Sequence, residues 1–504
     1  MASEIDVCLL LEGTYPYVRG GVSAWVHQLV SGLPELRFSV VFIGGQRPEH
    51  CIPRYEVPPN VVHLEAHYLE DALREQRPCA VDMPDRMLGE SCMLHDYFKA
   101  RGARRSLPLR ERQVFEQLVD RMLQSSECPT GPCLRHLLYS AGAWELIRRS
   151  HEESAAELSF VDYFWTVRQM HGPIFQLAGI ASQVPEAGLY HSASTGYAGL
   201  LGAFLQRRRR RRLILTEHGI YTKERRIDLN HAAWLERPGA RMESSQALRG
   251  LWIRYFESLG RLAYRSADPI IALYEGNRLR QVEDGAARER TRTIVNGIDV
   301  DGLAGALAGR SEPIPPVVGL IGRVVPIKDI KTFIRVIERL SRPLGDVQGW
   351  IIGGSEEEPD YAEECQALVR SLGLQAHVRF LGHCEVSAVL PRLGLLMLTS
   401  ISEAQPLVLL EAFAAGVPCI TTDVGGCREQ IEGRDEADRS LGAAGRVVPF
   451  ADVEALAGAA HELLSDRRAW RACQAAGLTR VRRSYGIRTM LDSYRTLYRD
   501  ALEA

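Results

Sequence analysis

The sequence predicts an α/β protein built from two doubly wound parallel sheets, and three observations carry that prediction. Each half of the chain opens on a short apolar strand that runs through a glycine-containing loop into a helix. These strands lack the polar alternation of a sheet with one wet face, so both faces are expected to be covered. A stretch of turn-forming residues, Asn296-Gly297-Ile298-Asp299 and then Pro313 to Pro316, separates the halves.

In the first half the strand covers Ile5 to Leu11. The loop Glu12-Gly13-Thr14-Tyr15-Pro16-Tyr17-Val18-Arg19-Gly20-Gly21 follows. The next helix carries Val22, Trp25, Val26, Leu29, Val30 and Leu33 on one face at helical spacing. Phe38 to Ile43 reads as the second strand. From about residue 69 to 157 the pattern changes to mixed helix and loop, read as a helical insertion that serves as a lid or an interaction surface. Alternation returns with Gly188 to His191 and Arg212 to His218. Between them stand six consecutive arginines, Arg207 to Arg212. They read as a solvated helix end, where cations suit the negative pole, or as a docking site for an acidic partner or anionic lipid.

The second half alternates cleanly. Strands are expected at Val317–Gly322, Gly349–Ile352, Val378–Leu381, Leu395–Leu398, Cys419–Thr422 and Val447–Val448. Helices are expected at Asp329–Leu340, Tyr361–Leu372 and Pro406–Ala415, and from Val453 to the end. The expected domains are 1–300, with the insertion, and 301–484, with a final helix over 485–504 packing back on the first.

Composition bounds the function. Of 504 residues, 46% are hydrophobic and 25% charged, which is ordinary for a globular enzyme and excludes a disordered or fibrous chain. A formal charge of −2 provides no overall field for nucleic acid. No apolar run approaches the ~20 residues that cross a bilayer. The acidic start before a short apolar run lacks the basic region of a signal peptide, so a cytoplasmic chain is expected. The 11 cysteines are scattered; Cys128 and Cys133 lie close, but no second pair or histidine cluster completes a zinc pattern.

Ligands of open parallel sheets bind beyond the carboxyl ends of the strands, and three segments of the second half should lie there. Gly322-Arg323-Val324-Val325-Pro326-Ile327-Lys328 offers a planar fork and a point charge for a diphosphate, or simply two surface cations. Ser402 to Ala412 places Pro406 at a helix start behind Gln405, a poor cap. That leaves the amides of Leu407 and Val408 for an anion. Glu403 precedes that helix and Glu411 lies inside it; either acid alone also reads as a solvated surface group. Asp423-Val424-Gly425-Gly426-Cys427-Arg428-Glu429 is the third segment, and its glycine pair also reads as a turn.

Taken in order and at these distances, G-R-x-x-x-x-K, E-x7-E and D-x-G-G-x-x-E resemble glycosyltransferase family 4. The resemblance covers the second half and continues into the first. Glu12 to Pro16 with Gly20-Gly21-Val22-Ser23, Phe164-Trp165 to His171-Gly172-Pro173, and Thr216-Glu217-His218-Gly219 are similar to the cytoplasmic glycosyltransferases of bacterial Pel exopolysaccharide synthesis. The resemblance implies a GT-B fold of two facing Rossmann-like domains and retaining, metal-independent sugar transfer from a UDP-sugar. It places Arg323 and Lys328 on the diphosphate, Glu411 on the ribose and Glu403 near the sugar. Gln405, Pro406, Leu407 and Val408 form the loop whose amides meet the donor. Gly20 and Gly21 approach the donor from the first domain, and His218 stands near sugar and acceptor. Tyr15, Asp423 and Glu429 are further candidates.

The resemblance also implies a polysaccharide acceptor and, as partner, an inner-membrane Pel synthesis complex that recruits the chain. No cofactor is expected, and no metal, since no Asp-x-Asp stands among these motifs. Two other readings remain: a UDP-sugar 2-epimerase-like enzyme, and a nucleotide-binding non-catalytic subunit of a polysaccharide synthesis complex. Intact Arg323, Lys328, Glu403 and Glu411 weigh against the idle subunit.

Overall fold

The structure, a computed structural model, describes residues 4–47, 52–74, 81–82, 95–96, 120, 134–230, 242–308 and 313–503. Two compact units emerge. The first contains residues 1–272, 278–292 and 495–504, and the second residues 273–277 and 293–494. The final helix is therefore shared: it begins in the second unit, and only from Arg495 onward does it belong to the first.

The first unit is a seven-stranded sheet in the order β3-β2-β1-β4-β5-β6-β7. Its strands are β1 (Val7–Glu12), β2 (Phe38–Gly44), β3 (Val61–Tyr68), β4 (Leu189–Ser192), β5 (Arg212–Glu217), β6 (Ile270–Ala272) and β7 (Thr291–Thr293). The pairs from β3 through β6 are all parallel. β1 and β2 are apolar and buried almost end to end, because helices cover both faces. The relevant helices are α1 (Gly21–Gly32), α2 (Ala141–Ser154), α3 (Phe160–Gln183), α4 (Tyr197–Arg209), α5 (Tyr221–Asn230), α6 (Met242–Ser266) and α7 (Glu275–Glu283), whose first three residues belong to the second unit. α1 buries Trp25, Val26, Leu29 and Val30, the face its apolar spacing predicts. Of the expected insertion, helices appear at Leu134–Tyr139 and α2, while most of 75–133 lies outside the described residues. α3 runs 24 residues straight through Pro173.

The second unit is a six-stranded sheet in the order β10-β9-β8-β11-β12-β13, parallel throughout. Its strands are β8 (Val317–Ile321), β9 (Gln348–Ile352), β10 (Val378–Gly382), β11 (Leu395–Leu398), β12 (Cys419–Thr422) and β13 (Gly445–Val448). Helices α8 (Ile330–Ser341), α9 (Pro359–Ser371), α10 (Leu407–Ala414), α11 (Cys427–Glu432), α12 (Val453–Ser465), α13 (Arg467–Ser484) and α14 (Ile487–Glu503) wrap it. Asp329 starts α8 by accepting from the Thr332 amide at 3.3 Å, and Ile330, Phe333, Ile334, Ile337 and Leu340 face inward at one-turn spacing. Chain order reverses between β8 and β11 in this sheet and between β1 and β4 in the first. Those two reversal points are where the loops diverge and leave a crevice for a ligand.

Among the described residues no helix is long and apolar enough to cross a membrane.

Candidate functional site

In the second unit the loops leaving β8 and β11 flank the reversal point, and they bring the expected residues together. Lys328 Nζ donates to Glu403 Oε1 at 2.6 Å, and Ser400 Oγ donates to the same oxygen at 2.6 Å. The lysine and glutamate side chains are 20% and 10% exposed, so this pair is shielded from the solvent that makes most surface ion pairs worth little. Thr399 Oγ1 donates to the carbonyls of Lys328 and Asp329 at 2.9 and 3.0 Å, locking one loop to the other. The glycine pair supports the arrangement from below. Gly425 has φ +56°, and a Cβ there would stand 2.0 Å from the Glu403 carbonyl oxygen, so only glycine lets the loop approach. The Gly426 amide donates to the Ala404 carbonyl at 2.7 Å.

Arg323 sits on the same loop as Lys328 but is 59% exposed and ion-paired with Glu357. A solvated pair of this kind is worth about 0–1 kcal/mol, so a phosphate can replace the carboxylate at small cost. Pro406 stands one position earlier than expected: it is the extended cap of α10 (φ −66°, ψ 119°), and Leu407 opens the helix. No side chain caps that tip, which leaves amide donors at the positive helix end. Gln405 does not face outward. Its Oε1 accepts from the Asn296 amide at 2.7 Å and its Nε2 donates to the Leu273 carbonyl at 3.1 Å, so the side chain straps two backbone segments together. Glu411, half-buried one turn inside α10, has its carboxyl raised by burial.

The remaining candidates of this unit are occupied elsewhere. Asp423 is exposed and pairs with Arg428 at 2.7 and 3.1 Å. Glu429 accepts from the amides of Glu275 and Gly276, both at 3.2 Å, and so caps the start of α7. An Asp-x-Asp does occur in the linker, Asp299-Val300-Asp301, but Asp299 accepts from the Gly302 amide at 2.9 Å. Among the described residues no group of three or more His, Cys, Asp or Glu side chains gathers as a metal site.

In the first unit, Gly20 and Gly21 open α1 with no side-chain cap and with open space where a Cβ would project. Tyr15 is fully buried; its ring lies 5.4 Å from that of Tyr55, and burial pushes its phenol up to about 12. His218 follows β5 and is buried edge-on against Trp25, ring centres 4.5 Å apart. Burial holds its imidazole down at about 3, so it is neutral near pH 7. Beneath it, His191 is held by Tyr498 Oη at 2.7 Å and Thr216 Oγ1 at 2.8 Å.

Glu12, at the end of β1, accepts from the amides of Tyr197 (2.7 Å) and Ala198 (3.3 Å) and from Tyr221 Oη (2.7 Å), capping α4. Buried Glu217 accepts from Tyr264, Thr195, Tyr221 and Gln281; burial raises its carboxyl while these four donors oppose the shift.

Sequence reasoning missed Ser400, Glu357 and Trp25. Ser400 had a signal, a hydroxyl three residues before Glu403 at a strand end. Glu357 lies 34 residues from Arg323 and had none.

Comparison with known proteins accords with this architecture. Residues 315–466 match the model of the glycosyl transferases group 1. HepE of Anabaena, solved in complex with UDP, shares the fold at TM-score 0.57 and 15% identity, over 98% of this chain and 100% of that one. An exopolysaccharide phosphotransferase of Streptomyces coelicolor is 33% identical over 186 residues, 36% of this chain and 18% of its own length. The N-acetyl-alpha-D-glucosaminyl L-malate synthase of Bacillus anthracis is 34% identical over 136 residues, 27% of this chain and 34% of its own. The chain thus spans about a fifth to a third of these two relatives. The two parallel-sheet, Rossmann-like units share the GT-B fold, and the second of them carries the match to the glycosyl transferases group 1. The chain itself belongs to the family described as "Domain of unknown function (DUF3492)", whose model matches residues 5–289.

Proposed function

We propose that this protein is a retaining, metal-independent glycosyltransferase of the PelF kind. It moves a hexosyl or N-acetylhexosaminyl unit from a UDP-sugar to a growing exopolysaccharide. The single observation that carries the reading is the shielded Lys328–Glu403 pair at the reversal point of the second sheet, beside the uncapped tip of α10. A cation, a helix tip and an exchangeable arginine supply what a diphosphate leaving group needs: donors already aimed where negative charge grows. That HepE, a protein of the same fold, was solved with UDP agrees with a uridine diphosphate donor. Part of the chain also resembles an exopolysaccharide phosphotransferase, which agrees with a polysaccharide product.

In this scheme the bond between the anomeric carbon and the diphosphate oxygen breaks as the acceptor hydroxyl attacks from the same face. The leaving phosphate takes the acceptor proton, so no protein base is required. Lys328 and Arg323, with the amides of Leu407 and Val408, stabilise the departing charge in place of a cation. Gln405 and Pro406 hold the loop, Glu411 binds the ribose and Glu403 orients the sugar. In the first unit Gly20, Gly21 and neutral His218 take the sugar- and acceptor-side roles.

The test is incubation with UDP-glucose and UDP-N-acetylhexosamines, with and without oligosaccharide acceptor and chelator, reading UDP release and product anomer. Retained configuration, acceptor dependence and indifference to chelator are expected. A rearranged UDP-sugar without acceptor would sink the transferase reading in favour of an epimerase, and UDP binding without any turnover would favour an idle subunit.

A further inference from the structure

A second charged feature lies at the other end of the first unit's sheet. α4 ends at Arg209, Arg210 adopts the left-handed conformation at φ +53°, and Arg212 begins β5. His218 follows the carboxyl end of β5, so the arginine run stands at the strand's amino end. Asp120, Gln206, Arg207, Arg210, Arg211 and Arg212 line an open hollow of 480 Å³.

Among the described residues its charges do not cancel. Arg207 is ion-paired with Asp120, and Arg209, outside the hollow, reaches Glu186 at 3.2 Å. Arg210, Arg211 and Arg212 are all exposed, and among the described residues no carboxylate pairs with them. Three adjacent guanidiniums cannot lose their protons and repel one another. The chain as a whole carries a charge of −2, so this excess is local rather than a share of a basic surface.

We propose that this hollow docks on an anionic phospholipid bilayer. Guanidinium is weakly hydrated and its fork matches phosphate oxygens in pairs, which suits lipid headgroups. The three side chains are exposed at consecutive positions on the rim of a hollow that is open to solvent. A layer of anionic headgroups can satisfy such charges together, whereas a small free anion needs converging donors. Docking here leaves the carboxyl end of the sheet uncovered. The inference stands independently of the sugar-transfer reading.

The full chain is sedimented with vesicles of phosphatidylcholine alone and with vesicles containing phosphatidylglycerol, at low and at high salt. Sedimentation only with the anionic vesicles is expected, with release at about 1 M salt, where screening acts over roughly 3 Å. Each basic residue at an anionic surface is worth about fivefold, so the variant Arg210→Asn/Arg211→Gln/Arg212→Gln should partition about a hundredfold less. Asn at 210 tolerates the left-handed backbone. The variant with lysine at the same three positions should stay within a few-fold of the native chain. An unchanged thermal midpoint excludes misfolding as the cause. Equal partitioning of the neutral variant, equal binding to phosphatidylcholine alone, or calorimetric binding of inorganic phosphate without vesicle binding would each overturn the proposal.

Discussion

Replacing Lys328 by methionine separates what the lysine does for folding from what it does for a donor phosphate. The side chain loses a 2.6 Å charge-assisted bond to Glu403, a carboxylate only 10% exposed. Stranding a fully buried charge costs about 3–5 kcal/mol, but Glu403 keeps the Ser400 hydroxyl and some water, so about 2 kcal/mol is expected. In a unit of this size that lowers the thermal midpoint by about 4–8 °C. Losing one charge-assisted contact to the diphosphate costs a similar ~2 kcal/mol, or about 30-fold in UDP affinity. The two effects part in the double variant Lys328→Met/Glu403→Gln. A neutral amide can still bond to Ser400, so the midpoint should return to within about 2 °C of the native value, while UDP binding stays about 30-fold weak. Calorimetry with UDP and a melting curve on the same samples give both numbers. A Lys328→Met protein that binds UDP within twofold of the native chain would refute the placement of the donor.

Other expectations follow from the same geometry. Gly425→Ala puts a methyl 2.0 Å from the Glu403 carbonyl oxygen at a positive φ, so UDP affinity should fall at least tenfold and stability by about 2 kcal/mol; unchanged titrations would count against the glycine support. Gly20→Ala meets open space, so its melting curve should match the native one within about 1 °C while turnover of UDP-sugar falls; full activity would remove the loop from the site. Arg480 is fully buried and bonds Asp438 Oδ1 and three carbonyls at 2.7–3.0 Å, so Arg480→Met should lose about 4 kcal/mol or more by urea titration, with Arg480→Lys losing less. Burial holds His191 and His218 at about 3 against an ordinary 6.5. The unfolded chain therefore takes up protons below pH 6.5 that the folded chain refuses until about 3. Stability is full above that window and falls through it by about 1.4 kcal/mol per pH unit for each ring. His191→Gln should remove one ring's share of the slope between pH 7 and 5, and an unchanged slope would contradict the assignment.

The strands that sit at the centres of the sheets were legible because both their faces are buried: β1, β2, β8 and β11 read as unbroken apolar runs. Three strands of the first sheet were not: β3 carries His63, Glu65 and His67 on a half-exposed ribbon, and β6 and β7 are three residues each, too short for any period. α3 was hidden because its outward row of Asp162, Trp165, Gln169, Gln176 and Gln183 is interrupted by an exposed aromatic and by Gly172 and Gly179, and Pro173 reads as a break. Within the candidate site, the ordered motifs lie on loops at the carboxyl edge of the second sheet, because spacing along a strand–loop–helix unit translates directly into position at the sheet edge. Direction was harder. That Gln405 turns inward to Asn296 and Leu273, and that Glu429 caps α7, depend on partners 109 and 154 residues away, a separation local pattern cannot bridge.

The hydrogen bond between His191 and Tyr498 joins residues 307 positions apart and fastens the last helix into a sheet whose strands all precede residue 294. A ribosome finishes every strand of that sheet long before it makes Tyr498. The nascent first unit must therefore wait with its central histidine unlatched while the whole second unit is translated, and vectorial synthesis cannot close the two units in simple order.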